Sequence, residues 1–326
     1  MNRPIIVAAI SVLAAGSALA QNSVTIYGRL NLSAEQQKNV NVVGTQSVLQ
    51  NSASRIGFKG TEDLGGGLKA GFQLESGFSP DTGAAAASFF GRQSEINLSG
   101  SFGMIRLGNF TSEAYFATAD YISMHNHDTG TSEDKLYAYV GRNTNKIAYR
   151  TPELVKGLTV EAAVSAGEGV RDGGVMRTRS YDVAANWNLG ALQLGAGYEK
   201  NGNAKQFAVR ALYEMGPMVF GAYFQDDTNA YAAGSRKTWR LSGAYNVGAS
   251  EFHLNYGAAD DYSKLANSDA TQWTVGYNYN LSKRTKVYAF YSTVDNSSAL
   301  SYFGATNTQG RAQDPKIMAV GVRHNF

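Results

Sequence analysis

In run after run along this chain, apolar side chains occupy every second position. Trp273, Val275, Tyr277, Tyr279 and Leu281 alternate with Thr274, Gly276, Asn278 and Asn280. Tyr181, Val183, Ala185, Trp187 and Leu189 alternate with Asp182, Ala184, Asn186 and Asn188, and Phe252 to Ala258 and Phe207 to Tyr213 repeat the pattern. A period of two places successive side chains on opposite faces of a β-strand. Each run is about ten residues long, the length a tilted strand needs to cross hydrocarbon. Soluble sheets share the period, so the runs alone do not fix the solvent that meets the apolar face.

The punctuation between runs also alternates. Short turns fall at Asp63–Gly66, Gly100–Gly103, around Gly190, at Gly216-Pro217, at Gly248–Ser250 and at Ser282–Arg284. Long polar segments are expected at Glu35–Ser52, Ser79–Phe89, Phe110–Gly141, Gly167–Thr178, Asp227–Arg236, Asp260–Ala270 and Asp295–Asp314. Tight turns at one end and long loops at the other are the signature of a transmembrane barrel. Counting from Val24 predicts an all-β fold, a transmembrane antiparallel β-barrel of about 16 strands, an even number as such barrels require.

Residues 1–20 read as an export signal: Asn2 and Arg3, an apolar run from Ile5 to Ala15, then the small residues Gly16 to Ala20. The run is too short for a membrane helix, which needs about 20 residues, so an N-terminal anchor is the weaker reading. Cleavage after Ala20 leaves 21–326 as one barrel domain. Past Ala20 no apolar stretch would span a bilayer as a helix, so export leads to the periplasm, the exterior or an outer-membrane barrel. The chain has no cysteine, which excludes disulfides and thiolate metal sites. Its 19 Tyr and 15 Phe suit strands and the aromatic girdles of a barrel. The mean hydropathy is slightly negative, as expected when only alternate residues meet lipid. A formal net charge of +3 is too small to argue for nucleic acid.

The phase of the alternation assigns each charge to a face. Arg or Lys facing lipid costs about 2–4 kcal/mol at mid-membrane, and several such errors would exceed a domain stability of about 5–15 kcal/mol. Arg29, Arg55, Lys59, Lys69, Arg92, Lys146, Arg150, Arg210, Arg240 and Arg323 are therefore expected to point inward, with Glu75, Glu161, Asp182, Glu199, Glu214 and Glu251. An interior lined by both signs of charge must hold water, and a water-filled tube across a membrane is a channel.

Several stretches resemble the general diffusion porins of β-proteobacteria and Neisseria. Ser23–Ser33 is similar to their first strand, and Ser54–Phe78 to the second and third strands with the intervening turn. Gly91–Asn109, Arg142–Leu154 and Ala319–Phe326 are similar to the fourth and fifth strands, the strand after the third loop and the closing strand. The resemblance implies a homotrimer of 16-stranded barrels in the outer membrane of a Gram-negative bacterium. The third outer loop, matched by Phe110–Gly141, would fold into each lumen as a constriction. It also implies basic wall residues facing acidic groups at the narrowest point, with Arg55, Arg92 and Arg142 matching the family's wall arginines and Glu75 a lumen acid. Beside them Lys146 and Arg29 are expected to add to the attraction for anions, and the loop acids Glu113, Asp120, Asp128, Glu133 and Asp134 to oppose it. The expected function is passive diffusion of small hydrophilic solutes and ions with weak to moderate anion preference. Expected partners are outer-membrane lipid, lipopolysaccharide, and the barrel-assembly machinery through Phe326.

Departures from the family pattern bear on the constriction. No proline occurs between Pro80 and Pro152, and Asn109 stands where relatives often carry Arg. Glu95 stands where an outward aromatic is usual, which by phase places it in a subunit interface or a local bulge. Other readings remain: a substrate-specific channel on the same fold, an outer-membrane enzyme such as a lipase, or a soluble periplasmic β-sandwich. None points to a cofactor. His125 and His127, with Asp128 close by, make only a weak His-x-His signal without a third fixed metal ligand. Gly167–Gly174 lacks the strand–turn–helix setting of a phosphate loop, and no Ser-His-Asp arrangement stands out.

Overall fold

The computed structural model describes residues 23–326 except 121, 123–129, 168–170, 173, 174 and 177. The export segment 1–20 lies outside the described residues. The strands are β1 (Ser23–Lys38), β2 (in two parts, Thr45–Asn51 and Arg55–Gly65), β3 (Leu68–Ser79), β4 (Gln93–Gly100), β5 (Gly103–Asn109), β6 (Lys146–Arg150) and β7 (Leu158–Ser165). They continue as β8 (Ser180–Leu189), β9 (Leu192–Asn201), β10 (Ala204–Met215), β11 (Met218–Thr228), β12 (Ser235–Val247), β13 (Ser250–Ala259), β14 (Ala270–Asn280), β15 (Thr285–Asn296) and β16 (Lys316–Asn325). Two-residue pairings at Ala84–Ala85, beside β3, and within the β7–β8 connection add no wall strand.

Each strand pairs antiparallel with the next, and β16 returns to β1 in register from Arg29↔Asn325 to Lys38↔Lys316. The result is a closed 16-strand antiparallel barrel. Closure leaves no sheet edge to pair with other chains. Two reciprocal bonds complete it: Gly28 N–H donates to Phe326 O at 3.0 Å, and Phe326 N–H donates to Gly28 O at 3.1 Å.

Burial is inverted relative to a soluble protein. Leu254, Val320 and Met318 are about as exposed as side chains become in a sheet (58%, 61% and 61%), whereas Arg240 is fully buried. Along β16, Met318, Val320 and Val322 are exposed while Ile317 and Ala319, which alternate with them, are buried. The same alternation covers β12 and β13, where Trp239, Leu241, Leu254 and Tyr256 face out and Arg240, Ser242, His253 and Asn255 face in. Such an outer surface is stable only in hydrocarbon.

The predicted turns fall where expected, but three connections at the other end differ. Glu35–Ser52 is not a loop. Glu35–Lys38 continues β1 and Thr45–Asn51 opens β2, because Ser33, Glu35 and Gln37 carry the alternation as polar residues on the buried face. Likewise Asp227–Arg236 narrows to 229–234, since Asp227 and Arg236 both lie on strands. Finally β9 and β10 join through Gly202 and Asn203 alone, with Gly202 at φ 60°, so the outer connections are not uniformly long. The break in β2 centres on Ser54, whose Oγ accepts the Asn31 N–H at 3.0 Å while its carbonyl accepts the Phe78 N–H at 3.1 Å.

Candidate pore lining

The segment between β5 and β6 carries a six-residue helix, α1 (Glu113–Thr118), started by Ser112, whose Oγ accepts the Ala114 N–H. The helix rests on β9 at two glycines. A Cβ on Gly195 would lie 1.8 Å from the Ala117 carbonyl oxygen, and one on Gly197 would lie 2.8 Å from the Ala114 Cβ. Arg210 Nη1 on β10 donates to the Phe116 carbonyl at 3.3 Å, and Asn186 Nδ2 on β8 donates to Glu113 Oε1 at 3.0 Å.

The returning arm, residues 130–141, is tied to one wall strand after another by side chains on the buried face. Thr131 Oγ1 donates to the Glu35 carboxylate of β1 at 3.0 Å. Gln272 of β14 accepts the Lys135 N–H at 2.9 Å and donates to the Glu133 carbonyl at 2.8 Å. Arg236 Nη2 of β12 donates to the Leu136 carbonyl at 2.9 Å. Gln225 of β11 accepts the Ala138 N–H at 2.7 Å, and Glu199 of β9 accepts the Val140 and Gly141 N–H groups at 3.2 Å. The wall thus supplies side-chain partners to an irregular backbone that could not be buried without them. Asp134 is bound most firmly. Burial opposes its ionisation, but the Arg240 guanidinium, with the Tyr223 hydroxyl and the Leu136 N–H, holds the carboxyl below the usual range.

Of the residues predicted to line the pore, Arg55, Glu75 and Arg92 come together. Arg92 Nε donates to Glu75 Oε1 at 2.6 Å, and Arg55 Nε lies 3.5 Å from Oε2. Tyr27 Oη donates to the same carboxylate at 3.0 Å and accepts from Gln73 at 2.6 Å. Two arginines share one carboxylate, so the trio keeps a net positive charge. Arg29 lies directly opposite Arg55 in the β1–β2 register, with its Nε bonded to Asn325 Oδ1 at 3.1 Å. On the neighbouring strands Arg323 lies opposite Lys286. Cross-strand neighbours stand about 4.5–5.5 Å apart, and like charges placed so destabilise a sheet. The directly opposed pairs Arg29–Arg55 and Lys286–Arg323 are unfavourable taken by themselves; Arg323 stands opposite Asn31, diagonal to Arg29, and Lys286 has Glu251 as a counter-charge at 2.9 Å. Lys59 and Lys69 face the same way further toward the tight turns, and both are exposed.

The other predicted positions lie elsewhere. Lys146 is buried and paired with Asp182 at 3.1 Å, its Nζ 5.4 Å from the centre of the Phe110 ring. Arg142 bonds the Thr178 carbonyl at 2.7 Å and Asn201 Oδ1 at 3.3 Å, at the loop end of β8 and β9. Glu113 joins Arg150, which also bonds Glu161 Oε2 at 2.9 Å. Asp120 is buried beyond α1. Asp128, like His125 and His127, lies outside the described residues. Glu251 sits among Asn278, Asn280 and Lys286 on β13–β15.

Glu95 corrects the sequence reading. It faces inward, and its Oε2 accepts two hydrogen bonds from Arg106, Nη2 at 2.6 Å and Nε at 3.0 Å. The phase was carried from Arg92, which precedes β4; the strand begins at Gln93, so Gln93, Glu95 and Asn97 share the inner face. Arg106, on the far side of the pair, also reaches Glu161 at 3.3 Å and was not singled out, although its neighbours Ile105 and Leu107 are apolar on both sides. Asn109 bonds the Gly91 carbonyl at 3.0 Å, tying β5 to the turn that carries Arg92. Among the described residues no cluster of three or more His, Asp or Glu side chains is arranged to hold a metal.

Comparison with known proteins agrees with this architecture along the whole chain. The sequence profile of the Gram-negative porins matches residues 7–299. Outer membrane porin protein 32 of Delftia acidovorans is 31% identical, covering 98% of each chain. A major outer membrane protein P.IB of Neisseria meningitidis serogroup B is 27% identical, over 96% of this chain and 97% of its own length. Among solved structures, an anion-selective porin from Comamonas acidovorans superposes with a TM-score of 0.77 at 26% identity, covering 94% of this chain and all of that one.

Proposed function

This chain belongs to the Gram-negative porin family, and from that premise we propose that its lumen is an anion-preferring diffusion path narrowed by residues 110–145. The protein is an outer-membrane porin, a passive channel. The observation that carries the anion preference is two directly opposed cation pairs, Arg29–Arg55 and Lys286–Arg323, with Arg323 diagonal to Arg29 and with Arg92 beside them, set against two carboxylates, Glu75 shared by Arg55 and Arg92 and Glu251 paired with Lys286. The loop acids Asp134, Glu133 and Glu113 are engaged by Arg240, Lys135 and Arg150. Wall cations act across a narrow aqueous passage, because the Debye length is about 8 Å at physiological salt. The bonds from the 110–145 segment to inward-facing side chains support its role as the constriction.

Residues 1–20 direct export, and the barrel assembles as a homotrimer with Phe326 read during insertion, as the family resemblance implies. The channel is tested by zero-current potential in a planar bilayer under a KCl gradient. The expected potential has the sign of chloride permeation and shrinks at high salt; a potential of the cation sign refutes the anion preference.

A further inference from the structure

In helix α1 the side chain of Phe116 is exposed (40%), while Ala114, Ala117 and Thr118 are buried. The helix rests on Gly195 and Gly197, which belong to the inner face of β9. What Phe116 meets is therefore the interior of the barrel, not lipid and not another subunit. Tyr139, on the returning arm, is exposed as well (37%). Tyr115 stands between the two, its ring centre 5.8 Å from that of Phe116 and 5.6 Å from that of Tyr139, both edge to face. Three rings thus form one patch on the segment that narrows the lumen. Single exposed apolar residues are ordinary on a protein surface, but a contiguous group of rings in an aqueous passage is not.

The patch is supported from behind. Tyr115 meets Tyr137 edge to face at 5.8 Å, and Tyr137 meets Tyr223 at 5.5 Å, within the core that Ala119, Ile122, Ala208 and Leu212 build between segment and wall. The Tyr139 hydroxyl accepts the Ser112 N–H at 3.2 Å and donates to Asn143 Oδ1, so Tyr139 offers water its ring. Charge completes the site. In a closed ring of sixteen strands β9 lies eight strands from β1, on the far side of the lumen. The opposed pair Arg29–Arg55 stands on β1 and β2, and Arg92 shares Glu75 with Arg55. On the aromatic side Glu113 is paired with Arg150. A solute in the passage therefore has cations on one side and apolar rings on the other.

We propose that Phe116, Tyr115 and Tyr139 form a retention site for aromatic carboxylates, whose ring packs on the patch while the carboxylate is drawn toward Arg29, Arg55 and Arg92. The inference rests on the anion-preferring reading of the lumen. It adds a preference among anions: at equal charge, a solute carrying an aromatic ring is held and a small aliphatic acid passes. Aromatic rings pack on one another edge to face or offset, with a gain beyond the area they bury, and a patch fixed before the solute arrives loses little order in binding it. A solute held in the narrowed passage also obstructs the ions that share it, which makes retention measurable as block.

The test uses the full porin in a planar bilayer at neutral pH, with the current carried by KCl as readout and potassium benzoate as the probe. Benzoate is expected to reduce the current saturably. Potassium acetate, of the same charge, and benzamide, with the same ring and no charge, should leave it unaltered. Phe116→Leu keeps an apolar side chain and removes the ring, and the half-blocking concentration of benzoate should rise about fivefold. Phe116→Trp, with a larger ring, should be blocked at or below the concentration that blocks the unaltered protein. Equal block of Phe116→Leu and the unaltered protein overturns the proposal. So does acetate that blocks as benzoate does, or benzamide that does so, which would mark an apolar site indifferent to the cations. The zero-current potential in KCl alone reads the anion preference separately. A potential of the chloride sign without benzoate block defeats this site and leaves the channel reading standing; one of the cation sign defeats the reading on which the site rests.

Discussion

Arg240 and Asp134 are joined by two parallel hydrogen bonds, Nε to Oδ2 at 2.8 Å and Nη2 to Oδ1 at 2.7 Å, across a sequence separation of 106 residues. The remaining Arg240 donors reach Asn255 and Gln272, and Tyr223 donates to Asp134 Oδ2 at 2.6 Å. Every part of the pair is engaged, which is the condition under which a buried ion pair holds a single geometry. Asp134→Asn leaves Arg240 buried without its counter-charge, at a cost of about 3–5 kcal/mol to the local structure. Single-channel records of this variant should show rapid fluctuation between conductance levels as the arm 130–141 loosens. A trace as steady as that of the unaltered protein would show that the pair does not hold the constriction.

On the proposed reading, Glu75 offsets part of the positive charge that Arg55 and Arg92 bring to the lumen. In Glu75→Gln, Arg55 and Arg92 lose their common carboxylate, and the chloride-to-potassium permeability ratio should rise. In the double variant Arg55→Gln/Arg92→Gln it should fall. Zero-current potentials measured at low salt, where screening is weakest, decide both; shifts in the same direction for the two variants would contradict the assignment.

Gly195 admits helix α1 to the wall. Gly195→Ala places a methyl group against the Ala117 carbonyl, so the helix must move. Gly243 has open space at the corresponding position, so Gly243→Ala serves as the matched control. Conductance should change in the first and not in the second, with both barrels keeping the same heat resistance on gel electrophoresis. Equal conductance in the two would mean that α1 does not border the water path.

The connection between β13 and β14 should respond to acid. Backbone N–H groups of Ser268 and Asp269 donate to Asp261 at 2.6 and 2.9 Å and hold its carboxyl below the usual carboxylate range. A depressed folded-state value contributes stability that is complete above the unfolded value of about 3.9 and is lost as the pH falls through the folded one. Amide exchange at Ser268 and Asp269 should therefore stay slow to about pH 4 and accelerate below it, and Asp261→Asn should be fast throughout. Exchange insensitive to both changes would show that Asp261 does not order the turn.

Much of this was legible from the sequence because a membrane enforces the period. Trp239, Leu241, Leu254 and Tyr256 can only face lipid, and the charges between them inherit the inner face. The reading failed where the period carries no apolar mark. Glu35 and Gln37 extend β1 with polar residues on both faces, so the strand looked like a loop. Glu95 was misassigned because the phase was counted through a turn, and Arg92 reaches Glu75 from outside the strand. The partners of Asp134, Glu199 and Gln225 could not be read at all, since they depend on where an irregular segment crosses the wall.

The chain contains no cysteine, so single cysteines can report the solvent at each position of the wall. Lys59, Thr61 and Lys69 face the lumen on β2 and β3, while Ile56, Phe72 and Leu74 alternate with the inner set. Cysteines at the first three positions should react with a charged, water-soluble thiol reagent and reduce channel current, and those at the second three should react only with a lipid-soluble one. Reaction that ignores the alternation, or a lumen set inert to the aqueous reagent, would contradict the water-filled barrel.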